Sequence, residues 1–149
     1  MTRRFQKFYK GLFFLYLLVL AWVLFNRSRY SPGIPYWDQV RQYVNLRPFH
    51  TIALYTRLLL DPVRPILTRL AIYNLAGNVL LFLPMGAMIP TLFPNFRRLY
   101  KTILLVALIV TLVELTQVLF LAGSCDIDDL ILNLLGTALG YPLYKVLIS

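Results

Sequence analysis

An all-α membrane protein is the fold this sequence predicts: a bundle of four transmembrane helices with an extracytoplasmic interfacial amphipathic segment. Three observations lead there. The chain has 149 residues, is 59% hydrophobic and has a mean hydropathy of +0.68, which is more apolar than a soluble domain tolerates. Four apolar runs, at about 8–25, 71–93, 102–122 and 130–148, approach the roughly 17–25 residues that a spanning helix needs. The remaining stretch, 26–70, is polar, aromatic and rich in turn residues. One membrane domain over 1–149 accommodates all of it.

The first span is flanked by Arg3, Arg4, Lys7 and Lys10, and Phe8, Tyr9 and a snorkelling Lys10 bring it to spanning length. Trp22 near its far end suits an interfacial anchor. No small-x-small site precedes the next charged residues, so the run reads as an uncleaved span. In the 26–70 loop, Pro32-Gly33 and Pro35 mark breaks, and Tyr30, Tyr36, Trp37 and Tyr43 suit the headgroup level. From Thr51 to Leu70, Ile52, Tyr55, Leu59, Val63, Ile66 and Leu70 recur at helical spacing, with Arg57, Asp61, Arg64 and Thr68 on another face. Asp61-Pro62 resembles an N-cap followed by a first helical proline. Two short helices lying in the interface, or one re-entering it, are expected there; the plain alternative is a surface helix whose Arg57, Arg64 and Arg69 touch lipid phosphates. The second span carries Asn74 and Asn78 one turn apart, then Pro84 and Gly86. The fourth has Gly136 and Gly140 in a G-x-x-x-G spacing that admits close helix approach.

Basic residues set the topology. With the N-terminus inside, the 94–101 loop and Lys145 also fall inside, together with all four lysines. Both termini are then cytoplasmic and 26–70 is external. The net charge of +9 is accounted for by residues flanking spans and meeting anionic headgroups, so no nucleic-acid partner is expected. The single cysteine, Cys125, has no internal disulfide partner.

Four of the six acidic residues lie between Glu114 and Asn133. Glu114 and Gln117 share a face of the third span at i, i+3; Asp126, Asp128 and Asp129 follow in a short loop; Asn133 lies four residues past Asp129 on the same face. In the alternating topology these residues meet Asn74 and Asn78 in the outer half of the bundle, as one polar pocket opening outward. An acid inside a bilayer costs roughly 2.5 kcal/mol or more on insertion scales, so it faces the bundle interior with a partner. Glu114 is expected either protonated or paired with an external arginine, Arg47 being the candidate. A hydrogen-bond knot of Asn78, Glu114, Gln117 and Asn133 is the plain alternative. Carboxylate oxygens at Asp126, Asp128 and Asp129 would suit magnesium or calcium, but they lack regular ligand spacing and equally suit capping of the fourth span. Neither a metal nor a cofactor is therefore assigned. His50 is the only histidine and has no serine elbow or cysteine dyad nearby.

Three motifs resemble the VanZ-like family: N-L-R-P-F at Asn45–Phe49, N-L-A-G-N-V-L-L-F-L-P-M-G at Asn74–Gly86, and E-L-T-Q at Glu114–Gln117 followed by D-I-D-D-L-I-L-N-L-L-G-T-A-L-G-Y at Asp126–Tyr141. The resemblance implies a small multi-pass protein of the bacterial cytoplasmic (inner) membrane, conferring low-level resistance to teicoplanin and related lipid-bearing glycopeptides. Position by position, it carries over Arg47, Asn74, Asn78, Pro84, Glu114, Gln117, Asp126, Asp128, Asp129 and Asn133. Many relatives have an arginine just before the aspartate motif, where this chain reads Ala122-Gly123-Ser124-Cys125.

Two functions follow. In the first, the pocket binds a membrane lipid, a lipid-linked cell-wall precursor or a lipoglycopeptide; the external arginines, Arg47 among them, meet phosphate or carboxylate, and Asn74, Asn78 and Gln117 supply hydrogen bonds. In the second, a membrane enzyme modifies a lipid or glycan headgroup, with Glu114 and Asp126 or Asp129 as acid and base. An assembly partner without a ligand is a third option. The several amides and the lack of a nucleophile favour binding.

Overall fold

The computed structural model describes residues 3–26, 28–60 and 65–148. The chain is mostly helical, with six α-helices among the described residues: α1 (Arg3–Phe25), α2 (Tyr36–Gln42), α3 (His50–Leu59), α4 (Pro65–Leu92), α5 (Leu99–Leu119) and α6 (Ile127–Ile148). Two short strands, β1 (Val44–Asn45) and β2 (Cys125–Asp126), pair in parallel, Val44 opposite Cys125 and Asn45 opposite Asp126. Among the described residues, three helices are long and apolar enough to cross a membrane: α1, α4 and α5. The fourth expected span falls on α6, with 22 residues, which among the described residues is not one of those long and apolar enough to cross.

The expected boundaries shift for local reasons. Segment 51–70 is not one interfacial unit: α3 ends at Leu59, and α4, described from Pro65, is a single helix that continues through the second expected span. No glycine or proline separates Pro65 from Ala71, so the helix runs on without a break. The Asp61-Pro62 cap, with Val63 and Arg64, lies outside the described residues. Helix α5 stops at Leu119 rather than continuing to 122. Its end is a Schellman turn, in which the Leu121 N–H donates to Val118 O at 3.2 Å and the Ala122 N–H to Gln117 O at 2.8 Å. Leu121 holds φ 50 there, a position usually given to glycine.

The closest helix pair is α4 with α6. A Cβ on Gly86 would overlap the Thr137 carbonyl, one on Gly136 the Val79 carbonyl, and one on Gly140 the Leu83 carbonyl. The glycine spacing of the fourth span thus serves an intramolecular contact, in which two backbones touch. Phe82, Met85 and Ile89 of α4 pack with Val106 and Val110 of α5 and Leu20 of α1 to form the core. The Tyr16 hydroxyl of α1 donates to Leu81 O at 2.6 Å, one residue beyond the carbonyl that Pro84 leaves without its helical donor. Phe8, Phe14 and Trp22 of α1 remain exposed. At the end of the bundle that holds Arg97, Arg98 and Lys101, the Thr102 hydroxyl donates to Phe96 O at 2.7 Å and Tyr141 donates to Arg97 O.

Candidate functional site

The opposite end of the bundle is polar, and the aspartate run organises it by giving each carboxylate different work. Asp126 precedes α6 and accepts the Asp128 N–H at 2.9 Å, a helix N-cap. It also accepts the Thr51 hydroxyl at 2.6 Å and the Asn45 amide at 3.3 Å, which ties α3 and β1 to α6. Asp128 is fully buried and accepts three backbone N–H groups, from Phe49 at 2.5 Å, Thr51 at 2.7 Å and Ile52 at 3.0 Å. These are the donors that the first turn of α3 leaves open, and a carboxylate there also meets the positive end of the helix dipole. Phe49 is held at φ 63 to present its N–H, a conformation costing a non-glycine residue about 1–2 kcal/mol. Asp129 turns to the interior, where its Oδ1 accepts the Asn78 amide of α4 at 2.6 Å.

Asn133, one turn further along α6, lies on the same face as Asp129. From α5, Glu114 reaches the same space, its carboxyl beside the Cys125 thiol and the Asp126 backbone. Gln117 is partly structural: its amide donates to Leu24 O at 2.7 Å and binds the end of α1 to α5. Asn74 donates to Leu70 O of its own helix at 2.8 Å. Together these side chains line a cavity of about 160 Å³ whose walls come from α1 (Val23, Leu24), α3 (Thr51, Tyr55), α4 (Tyr73 to Phe82), α5 (Val110 to Gln117), the 122–124 loop, Asp126, Asp129 and Asn133.

The distinction between a knot and a pocket turns on two atoms. A closed knot would satisfy every buried polar group, since an unpaired one costs about 1–3 kcal/mol. Glu114 Oε1 and Asn133 Oδ1 are buried with no hydrogen-bond partner, in residues only 6% and 5% exposed. The Asn78–Asp129 and Gln117–Leu24 bonds are knot-like; Glu114 Oε1 and Asn133 Oδ1 have no such partner.

Several expected residues fall elsewhere. Asp128 does not line the cavity, because its oxygens are taken by α3. Arg47 is exposed and also outside the lining; its backbone N–H donates to Asn45 Oδ1 at 3.2 Å. The expected Arg47–Glu114 pair is absent, and the ion pair found among the described residues is an exposed one, Arg41–Asp38 at 3.7 Å. The arginine at the cavity is Arg29. Its backbone is held by Leu121 O at 2.7 Å and by the Tyr43 hydroxyl at 3.1 Å, its guanidinium lies 5.3 Å from the Tyr43 ring centre, and its charge reaches Asp129. Its position just beyond the first span, shared with Arg27, was the one signal that set it apart from the five later loop arginines. No three histidine, cysteine or acidic side chains converge as metal ligands among the described residues. Cys125 is a poor nucleophile: burial pushes its thiol up, and the neighbouring Glu114 charge adds to the effect.

Comparison with known proteins agrees with the motifs. The VanZ/LLP1 family model matches residues 13–148. The chain is 27% identical over 135 residues to Protein VanZ of Enterococcus faecium, covering 91% of this chain and 72% of that protein. No solved structure matches.

Proposed function

The chain belongs to the VanZ/LLP1 family, and on that premise we propose that it is an integral membrane binding protein contributing to low-level resistance to teicoplanin-type lipoglycopeptides. Helices α1, α4, α5 and α6 cross the cytoplasmic membrane with both termini inside. Helices α2 and α3 cover the outer end. The cavity beneath α3 receives the polar headgroup of a membrane lipid, a lipid-linked wall precursor or the antibiotic itself, and so reduces the encounter of antibiotic with precursor.

The observation that carries this reading is the pair of unpartnered buried oxygens, Glu114 Oε1 and Asn133 Oδ1, in a cavity at the polar end. A ligand donor would supply what the fold leaves unmet. The enzyme alternative draws on the closeness of Glu114, Asp126 and Asp129. It is the weaker reading, because Asp126 is occupied by capping and the half-buried Cys125 is disfavoured as a thiolate.

The test is teicoplanin susceptibility of cells expressing wild type, Glu114→Gln or Asp129→Asn, with membrane abundance measured in parallel. Wild type should protect, and both variants should lose protection at equal abundance. Equal protection by all three would make these side chains helix glue and end the pocket reading. Lipid extracts that change on expression of wild type, but not of Glu114→Gln, would favour the enzyme instead.

A further inference from the structure

Among the described residues, three acids, Glu114, Asp126 and Asp129, line the cavity with one cation, Arg29, whose side chain is exposed. The two unpartnered atoms inside, Glu114 Oε1 and Asn133 Oδ1, are both hydrogen-bond acceptors. Such a lining does not suit an anion in its depth. It suits a group with several N–H donors and a positive charge. A primary ammonium has three donors and no acceptor; it would serve Glu114 Oε1 and Asn133 Oδ1 and leave the third donor for Asp129, whose Oδ1 otherwise receives only the Asn78 amide among the bonds found. A quaternary ammonium carries the charge but has no N–H to give. No convergent metal-ligand group is present among the described residues, so a molecular cation fits better than an ion.

Arg29 supplies the complementary half. Its backbone is anchored by Leu121 and Tyr43, which places a guanidinium suited to phosphate at the cavity edge. We infer that the cavity takes the headgroup of a zwitterionic aminophospholipid, with its primary ammonium inside against Glu114 and Asn133 and its phosphate outside at Arg29. This deepens the binding reading above and rests on it.

The test is calorimetric titration of the purified full chain in detergent with dihexanoyl phosphatidylethanolamine, its phosphatidylcholine and phosphatidylglycerol counterparts, and free phosphoethanolamine. The ethanolamine lipid should bind about tenfold or more tightly than the choline lipid, the loss expected when hydrogen bonds to a charged group are removed. Free phosphoethanolamine should bind more weakly than the lipid; equal binding would overturn the lipid as carrier. Arg29→Ala should weaken both zwitterionic lipids alike, whereas Glu114→Gln should remove the preference for ethanolamine. The lipid comparison uses wild type, so it stands even where a variant fails to fold. Equal or tighter binding of the choline or glycerol lipid, or no lipid binding at all, overturns the ammonium proposal. If teicoplanin protection still depends on Glu114 in that case, the binding reading survives; if it does not, both fall together.

Discussion

The two ends of the α4–α6 pair are built on opposite principles. Towards the middle and far end, the helices touch backbone to backbone through Gly86, Gly136 and Gly140, with Met85 and Ile89 filling the adjacent core. Near the start of α6, polar side chains carry the contact: Asn78 bonds to Asp129, and both line the cavity together with Glu114. The glycine end has no room for one carbon atom; the polar end keeps space and two unpaired oxygens. Packing of the first kind secures the position of the second. A rigid contact beyond the cavity allows buried acids to stay in place although their own interactions are incomplete.

The sharpest way to break that contrast is at the glycine end. Gly140→Val would drive a branched side chain into the Leu83 carbonyl and should cost more than about 3 kcal/mol, at the upper end of overpacking effects. Membrane abundance and the detergent melting midpoint should both collapse. A wild-type midpoint would mean that the two helices are not in close contact. Next is Asp128→Ala, which strands three N–H groups of α3. A loss of about 3 kcal/mol is expected from hydrogen bonds to a charged acceptor, with faster hydrogen exchange confined to Phe49, Thr51 and Ile52; exchange unchanged at those amides would contradict the capping role.

The polar end should respond differently. Glu114→Gln keeps the size of the side chain and removes no hydrogen bond made by Oε1, so stability should change by less than about 1 kcal/mol while teicoplanin protection is lost. A large fall in melting midpoint would return Glu114 to the class of structural groups. Phe49→Gly should stabilise by about 1 kcal/mol by relieving the left-handed backbone, read as a small rise in midpoint, and a fall would show that the exposed ring makes a contact worth more than the strain. Smallest of all, Arg47→Ala should leave ligand retention unchanged, because that side chain lies outside the cavity.

Period and composition determined much of this protein. Runs of apolar residues long enough to span a bilayer located the long helices, and the i, i+3 and i, i+4 spacings put Glu114 with Gln117, Asn74 with Asn78, and Asp129 with Asn133 on shared faces. The motifs sufficed for the family, which the match over 13–148 shows. Helix geometry is local, so a sequence can express it. Only tertiary structure decided what the three aspartates do, since Asp126 and Asp128 differ by contacts to residues more than 70 positions away. The same holds for Arg29 in place of Arg47: both are loop arginines, and which one meets the cavity depends on Tyr43 and Leu121 holding the chain after α1. The unpaired oxygens were equally illegible. Whether a buried acceptor finds a donor is a property of distances between helices, and no periodicity within one helix encodes those.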